Sequence, residues 1–385
     1  MKRYGFFSAL LAAGFIFLTL ATCSKKSVQW KGRIETKDGI PIVHNPREPI
    51  FKVAVLSLRA DLTLGQESAS PEALTFQNLI PYGCVDTDAE GNICVLDNDA
   101  YKVFVFDSKG RRLKSFGRKG QGPGEFQAPT CLKTMSDGSI EIVDDAARKL
   151  LQFGPDGTLL KEESLAHLPE FARPALDAEG GIVAMSTEFG PRTKLGLIRI
   201  PPSLKKEVRF ADAETHPVFD GSTLNIFFPQ FEFTVTASGS VIWGFQDKYS
   251  LTVSSFDGRV VRKIEKDYDP IVLTEATAQA RVKRLFAGRA SPANLKIVHP
   301  PFYWPFYALI ADEKGRLMAR TPEKTADGKS MHDIFDEKGR FLGRLALLGE
   351  AVLWKSDQLF VVEENPGSGQ VLRRYRVEWN SDLRL

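Results

Sequence analysis

Acidic residues recur at one kind of place in this sequence: Asp97, Asp144 with Asp145, and Glu363 with Glu364 each follow a short apolar run. If these carboxylates converged, their oxygens would suit a hard cation such as calcium, which takes about six to eight oxygen ligands. The competing use is local. An Asp just past a strand accepts from turn amides or pairs with a nearby cation, here Lys102 or Arg148, and Asn98 and Asp99 suit the same turn. The acid is missing at the matching place of a third unit and displaced to Asp247 in a fourth, which favours the local use. Histidine offers less. His44, His167, His216, His299 and His332 are not spaced as ligands on one element, and neither His-x-x-x-His nor Cys-x-x-Cys occurs, so zinc is not expected. Gly-x-Ser-x-Gly is absent, which leaves a hydrolase elbow without support. The glycine-rich stretch Gly117 to Phe126 lacks the GxxxxGK[ST] spacing and no helix is expected after it, so it reads as a crossover rather than a phosphate cradle.

The elements that must position these residues announce themselves by repetition. An Asp-x-x-Gly turn stands at Asp88 to Gly91, Asp177 to Gly180 and Asp312 to Gly315. A Phe-Asp-x-x-Gly turn stands at Phe106 to Gly110 and Phe335 to Gly339, with Phe153-Gly154-Pro155-Asp156-Gly157 as a variant and Phe256-Asp257-Gly258 clipped. Glycine supplies the positive φ that closes such a hairpin, and the Asp side chain bonds the turn's own amides. Between the turns lie apolar runs such as Ile93 to Leu96 and Val103 to Phe106, which suit strands covered on both faces. Repeats of roughly 40–50 residues, each with about four short strands, are the signature of a β-propeller. Five units begin near residues 79, 129, 173, 229 and 306. A sixth, Ala351 to Trp379, has three strands only, and the alternating stretch Phe51 to Leu58 is expected to supply the fourth, closing the ring without an open edge. The predicted fold class is therefore all-β, a six-bladed propeller over residues 50–385 with one helical insertion between blades 4 and 5.

The start of the chain reads as an address. Lys2-Arg3 precede the apolar stretch Phe6 to Ala21, shorter than the roughly 20 residues a membrane span needs, so a signal peptide over residues 1–22 is expected. Leu20-Ala21-Thr22-Cys23 followed by Ser24-Lys25-Lys26-Ser27 resembles a bacterial lipobox, apart from Thr22, and the resemblance implies lipidation at Cys23. Residues 23–49, with Pro41, Pro46 and Pro49, then read as a tether. Removing Lys2 and Arg3 takes the formal charge from +3 to +1, which argues against nucleic-acid binding. Export would place Cys84, Cys94 and Cys131 in an oxidising compartment. Cys84 and Cys94 flank the first hairpin turn and could pair, but small buried strand residues with free thiols are the favoured reading.

The segment Ser115 to Phe126, with Phe116-Gly117, Gly120, Gly122-Pro123-Gly124-Glu125-Phe126, resembles the inter-blade signature of NHL-type six-bladed propellers, and Ser136 to Asp144 continues it. Pro300 to Leu317 is similar to the penultimate blade of bacterial exported propellers. The resemblance implies fold more than function, because such propellers serve as lyases, lactonases, receptors and scaffolds. Leu273 to Ala287 is expected to form the helical insertion: Thr274 caps it, Gly288 ends it, and Ala278, Val282, Leu285 and Phe286 make one apolar stripe. Beside it, Phe302 to Tyr307 is too aromatic to be wholly buried, so Tyr303 and Trp304, with Phe227 and Phe228 before blade 4, are the candidate ligand-binding surface. The function expected is a lipid-anchored binding or scaffold module facing the periplasm or cell surface. It would be non-enzymatic, monomeric and free of cofactors, with an envelope protein, peptide or glycan as partner. The alternative is a calcium-dependent, lactonase-like hydrolase or lyase with Asp97, Asp144, Asp145 and Glu363 on the metal.

Overall fold

The computed structural model describes residues 28–65, 83–216, 223–225, 227–285, 296–365 and 369–383. Within them the chain is an all-β, six-bladed propeller with four-stranded antiparallel blades. Blade 1 comprises Val85–Thr87, Ile93–Asp97, Lys102–Phe106 and Arg112–Phe116. Blade 2 runs from Pro129–Thr134 to Leu159–Ser164, blade 3 from Phe171–Leu176 to Val208–Thr215, blade 4 from Phe231–Val235 to Val260–Lys266 and blade 5 from Ala308–Ala311 to Phe341–Leu347. Blade 6 takes Glu350–Lys355, Gln358–Asn365 and Gly369–Trp379 from the C-terminal end and its outer strand, Leu56–Leu64, from the other end of the chain. That strand pairs antiparallel with its neighbour from Trp379 opposite Leu56 to Leu372 opposite Leu64. It lies about five residues beyond the stretch expected from sequence, because Phe51 is used elsewhere: its amide donates to the Leu342 carbonyl of blade 5 at 2.9 Å.

The Asp-x-x-Gly turns form as their chemistry requires. At Asp88 the carboxylate accepts from Asn92 N at 2.8 Å while Gly91 N returns to the Asp88 carbonyl at 3.1 Å. The second turn of blades 1, 2, 4 and 5 also joins blades. Gly157 lies on Phe116 of the preceding blade's outer strand and Gly339 on Ile264, and a methyl group there would meet those side chains at 2.9 and 2.6 Å. Gly110 of blade 1 stands in the same way on Leu62, in the outer strand of blade 6. Blade faces share cores accordingly. One cluster holds Phe104, Phe106 and Ile93 of blade 1 with Phe153 of blade 2 and Phe360 and Val362 of blade 6.

Two expectations change. Much of the segment read as a tether is folded: Arg33–Lys37 and Ile40–Asn45 form a hairpin whose second strand pairs parallel with Val260–Lys266, making the blade 4 sheet six-stranded. Its prolines are compatible with this because Pro41 lies before the pairing with blade 4 begins at Ile42, and Pro46 follows the strand. The helix runs Glu275–Leu285, shorter at both ends than expected. Its cap is Thr274, whose Oγ1 accepts from Thr277 N at 3.3 Å. Cys84, Cys94 and Cys131 are buried free thiols, each pushed up to about 12 by burial. Cys23, Phe286 and residues 1–22 lie outside the described residues.

Candidate functional site

The innermost strand of every blade faces a central channel of about 150 Å3. Contacts between neighbouring innermost strands pair early residues with early and late with late, so each end of the channel has its own chemistry. At the early end Arg173 of blade 3 holds Glu232 of blade 4 through two parallel bonds, Nη1 to Oε1 at 3.1 Å and Nη2 to Oε2 at 2.5 Å. Arg173 precedes Pro174 and sits at φ 56°, a left-handed conformation that costs a side-chain-bearing residue on the order of 1–3 kcal/mol. The surroundings hold it there, and the forked ion pair is part of that hold. Gln246 donates from Nε2 to Glu232 Oε1 at 3.3 Å and to the Phe306 carbonyl at 2.9 Å, tying blade 4 to blade 5. Burial pushes the Glu232 carboxyl above its ordinary value, although the Arg173 guanidinium pulls the other way.

Arg320 of blade 5 completes this end by bonding Glu350 of blade 6. Opposite it in register stands buried His332, whose Nδ1 faces the Ser330 carbonyl at 3.1 Å. Burial, reinforced by the Arg320 charge, drives His332 down to about 4, so the imidazole is neutral at pH 7. At the other end buried Asp86 of blade 1 receives Lys133 Nζ from blade 2 and Lys355 Nζ from blade 6, each at 3.0 Å, and the Thr134 hydroxyl at 2.7 Å. Burial opposes ionisation, but the two ammonium groups outweigh it and hold the Asp86 carboxyl below its ordinary value.

The helical insertion stands beside the early mouth. Ala278 packs with Leu273 and Phe227, with Ile297 and Tyr303 against them. Trp304 Nε1 donates to the Phe227 carbonyl at 3.1 Å, and Trp304 N to the Tyr307 hydroxyl at 3.1 Å. Arg281 lies over the Phe227 ring at 5.0 Å. Burial raises the Tyr307 phenol while the charges of Arg281 and Arg320 both act to lower it, which places the helix and the channel cation around one side chain.

Of the residues singled out from sequence, Tyr303 and Trp304 are half-buried in this wall, and their neighbour Phe302 is the more exposed at 43%. Phe227 is buried, a correction to its place on the candidate surface: it is the ring on which the helix seats. Phe228 is half-buried against blades 3 and 4. The recurring acids are kept apart by local partners. Asp97 Oδ1 accepts from Ala100 N at 2.9 Å, and Asp144 from the amides of Gln127, Ala128 and Ala147 at 2.6, 3.0 and 2.9 Å. Asp145 is half-buried and raised by burial, and Glu363 bonds the Tyr375 hydroxyl and lies 3.3 Å from Arg373 Nε. Among the described residues no three His, Cys, Asp or Glu side chains gather as metal ligands would. The glycine-rich crossover closes on itself, Gly122 N donating to Glu125 Oε2 at 2.8 Å. Arg173, Glu232, Arg320, Glu350 and Asp86 were not singled out from sequence. Their one signal is a charged residue breaking or flanking an otherwise apolar strand.

A family model described as a 6-bladed β-propeller, DUF5128, matches residues 86–180. No curated protein matches the sequence. Among solved structures, a Bacteroides fragilis protein described as exported aligns at 12% identity with a TM-score of 0.56, over 88% of this chain and 100% of that one. A DUF4221-family member from Bacteroides vulgatus aligns at 12% identity with a TM-score of 0.52, over 84% and 99%. At such identities the likeness is one of fold.

Proposed function

We propose that this chain is an exported, lipid-anchored propeller that acts as a binding module and takes its ligand at the early channel mouth. The observation that carries this reading is the pairing state of that mouth. Every charged group identified there already has a partner of opposite sign or a fixed hydrogen bond, and among the described residues of that mouth no nucleophile is seen beside a base. Such a set recognises; it is not arranged to transfer protons. The half-buried aromatic wall of Tyr303 and Trp304 adds flat apolar surface next to Arg320, a combination suited to an envelope protein, peptide or glycan. Export is supported by the signal-like start and by likeness to a protein described as exported. Anchoring would run through Cys23, which closes the lipobox-like stretch Leu20 to Cys23. The module works as a monomer and needs no cofactor in this reading.

The test is capture from envelope extract by the immobilised protein and by its Arg320→Ala and Trp304→Ala variants. A partner retained by the wild type and lost at least about tenfold by both variants supports the reading; tenfold is about 1.4 kcal/mol. A partner retained equally by all three places the ligand elsewhere. Recovery of nothing above background, together with turnover of a small substrate, refutes it.

A further inference from the structure

We infer that the rim formed by Val28 to Lys31 and Pro46 to Val53 is the face the propeller lays against a phospholipid bilayer, an inference that rests on anchoring at Cys23. A tether over residues 23–49 would let the disc roam on the order of 90 Å from its lipid at full extension. The fold removes most of that length. The described chain begins at Val28, and Ser24 to Ser27 are all that separate it from Cys23, a reach of about 18 Å at most. An anchored disc therefore cannot turn this rim away from the membrane.

The surface at that point is suited to the interface. Val28 opens an exposed groove of about 1060 Å3 whose walls include Trp30, Ile50, Phe51, Val53 and Leu383. Val28 and Val53 are 42% and 59% exposed, high for apolar residues on one groove. Trp30 and Tyr268 supply the amphipathic rings that favour the headgroup level. Charge on the rim is balanced: Arg47 pairs with Asp269 at 3.1 Å, Lys52 stands 4.0 Å from Glu48, and Lys31 faces the same groove as Asp267. Contact is then driven by apolar burial and not by lipid charge, so it should depend little on salt or on anionic lipid.

The experiment uses the chain from Ser24 onward, which carries no lipid and retains every described residue, with phosphatidylcholine vesicles in a flotation assay. Partitioning should be measurable and nearly unchanged by salt, and Val28→Asp with Val53→Asp should lower it by about tenfold. Both positions are exposed, so thermal unfolding should be unaffected, and Leu160→Asp, an exposed leucine on blade 2, is the control that should change nothing. No partitioning, an equal loss with Leu160→Asp, or self-association through the groove in place of vesicle binding would overturn the inference. Mass spectrometry of Cys23 in membrane-extracted protein tests the anchoring separately.

Discussion

Asp86 is buried between two lysines from other blades, and its ionised carboxylate ties the ring together at the late end of the channel. Replacing it by Asn leaves two ammonium groups without a counter-charge. Both are about a quarter exposed, so we expect a loss of about 2 kcal/mol at pH 7 and not the larger penalty of a fully buried pair. Because the folded-state value is depressed, this stabilisation is present above the unfolded carboxyl range and is lost as pH falls through the folded value. The stability difference between wild type and Asp86→Asn, read from urea unfolding, should therefore shrink only below about pH 4. A difference that is flat across that range would show that Asp86 acts by shape alone. The acids that sequence grouped as calcium ligands lead to another expectation. Three backbone amides already fill Asp144, and Ala100 N fills one oxygen of Asp97, so these acids do not converge on one point among the described residues. Calcium titration in a thermal-shift assay should leave Tm unchanged; a rise with concentration would mean a site that binds the native state.

At the scale of the element, the second turn of blades 1, 2, 4 and 5 serves as hairpin and as inter-blade contact. Gly339 lies at φ 82° with Ile264 of blade 4 beneath it, whereas Gly315, at φ 80° in the other turn of the same blade, has open space around it. Ala at Gly315 should cost only the left-handed strain, about 1 kcal/mol, while Ala at Gly339 should cost about 2–3 kcal/mol because Ile264 must also move. Equal losses in urea unfolding would show that the turn does not join blades. These repeats are also why so much of the fold is legible in the sequence: Asp, Gly and the apolar run are short-range signals, and their recurrence along the chain reinforces each one. The outer strand of blade 6 is less legible. Leu56–Leu64 alternates weakly, with exposed Ser57, Arg59 and Asp61 outside and Leu62 and Leu64 against blade 1, so its limits are set by a partner more than 300 residues away. The channel charges are legible only as exceptions within apolar strands. Nothing local says that Arg173 meets Glu232, because their meeting depends on the curvature of the ring.

Across the whole molecule, the first described residues run along the outside of three consecutive blades. Ile40–Asn45 extends blade 4, Ile50 and Phe51 donate to Phe341 and Leu342 of blade 5 at 3.0 and 2.9 Å, and Leu56–Leu64 completes blade 6. Asn45 is the pin of this strap. Its Nδ2 donates to the Gly339 carbonyl at 2.9 Å, its Oδ1 accepts from Phe341 N at 2.8 Å, and its own carbonyl accepts from Asp267 N at 3.0 Å. The side chain thus satisfies buried backbone groups of blade 5 from a strand that belongs to the blade 4 sheet. Asn45→Ala strands those groups and should cost about 2 kcal/mol without changing the state of association. A chain beginning at Pro46 loses the same bonds and also uncovers Lys263 to Lys266 of the outer blade 4 strand as an open edge. That chain should show both a lower Tm and concentration-dependent association in sedimentation velocity, where Asn45→Ala shows the first effect alone. If the shortened chain melts and sediments as the full one does, the hairpin is an ornament on blade 4 and the strap begins only at Ile50.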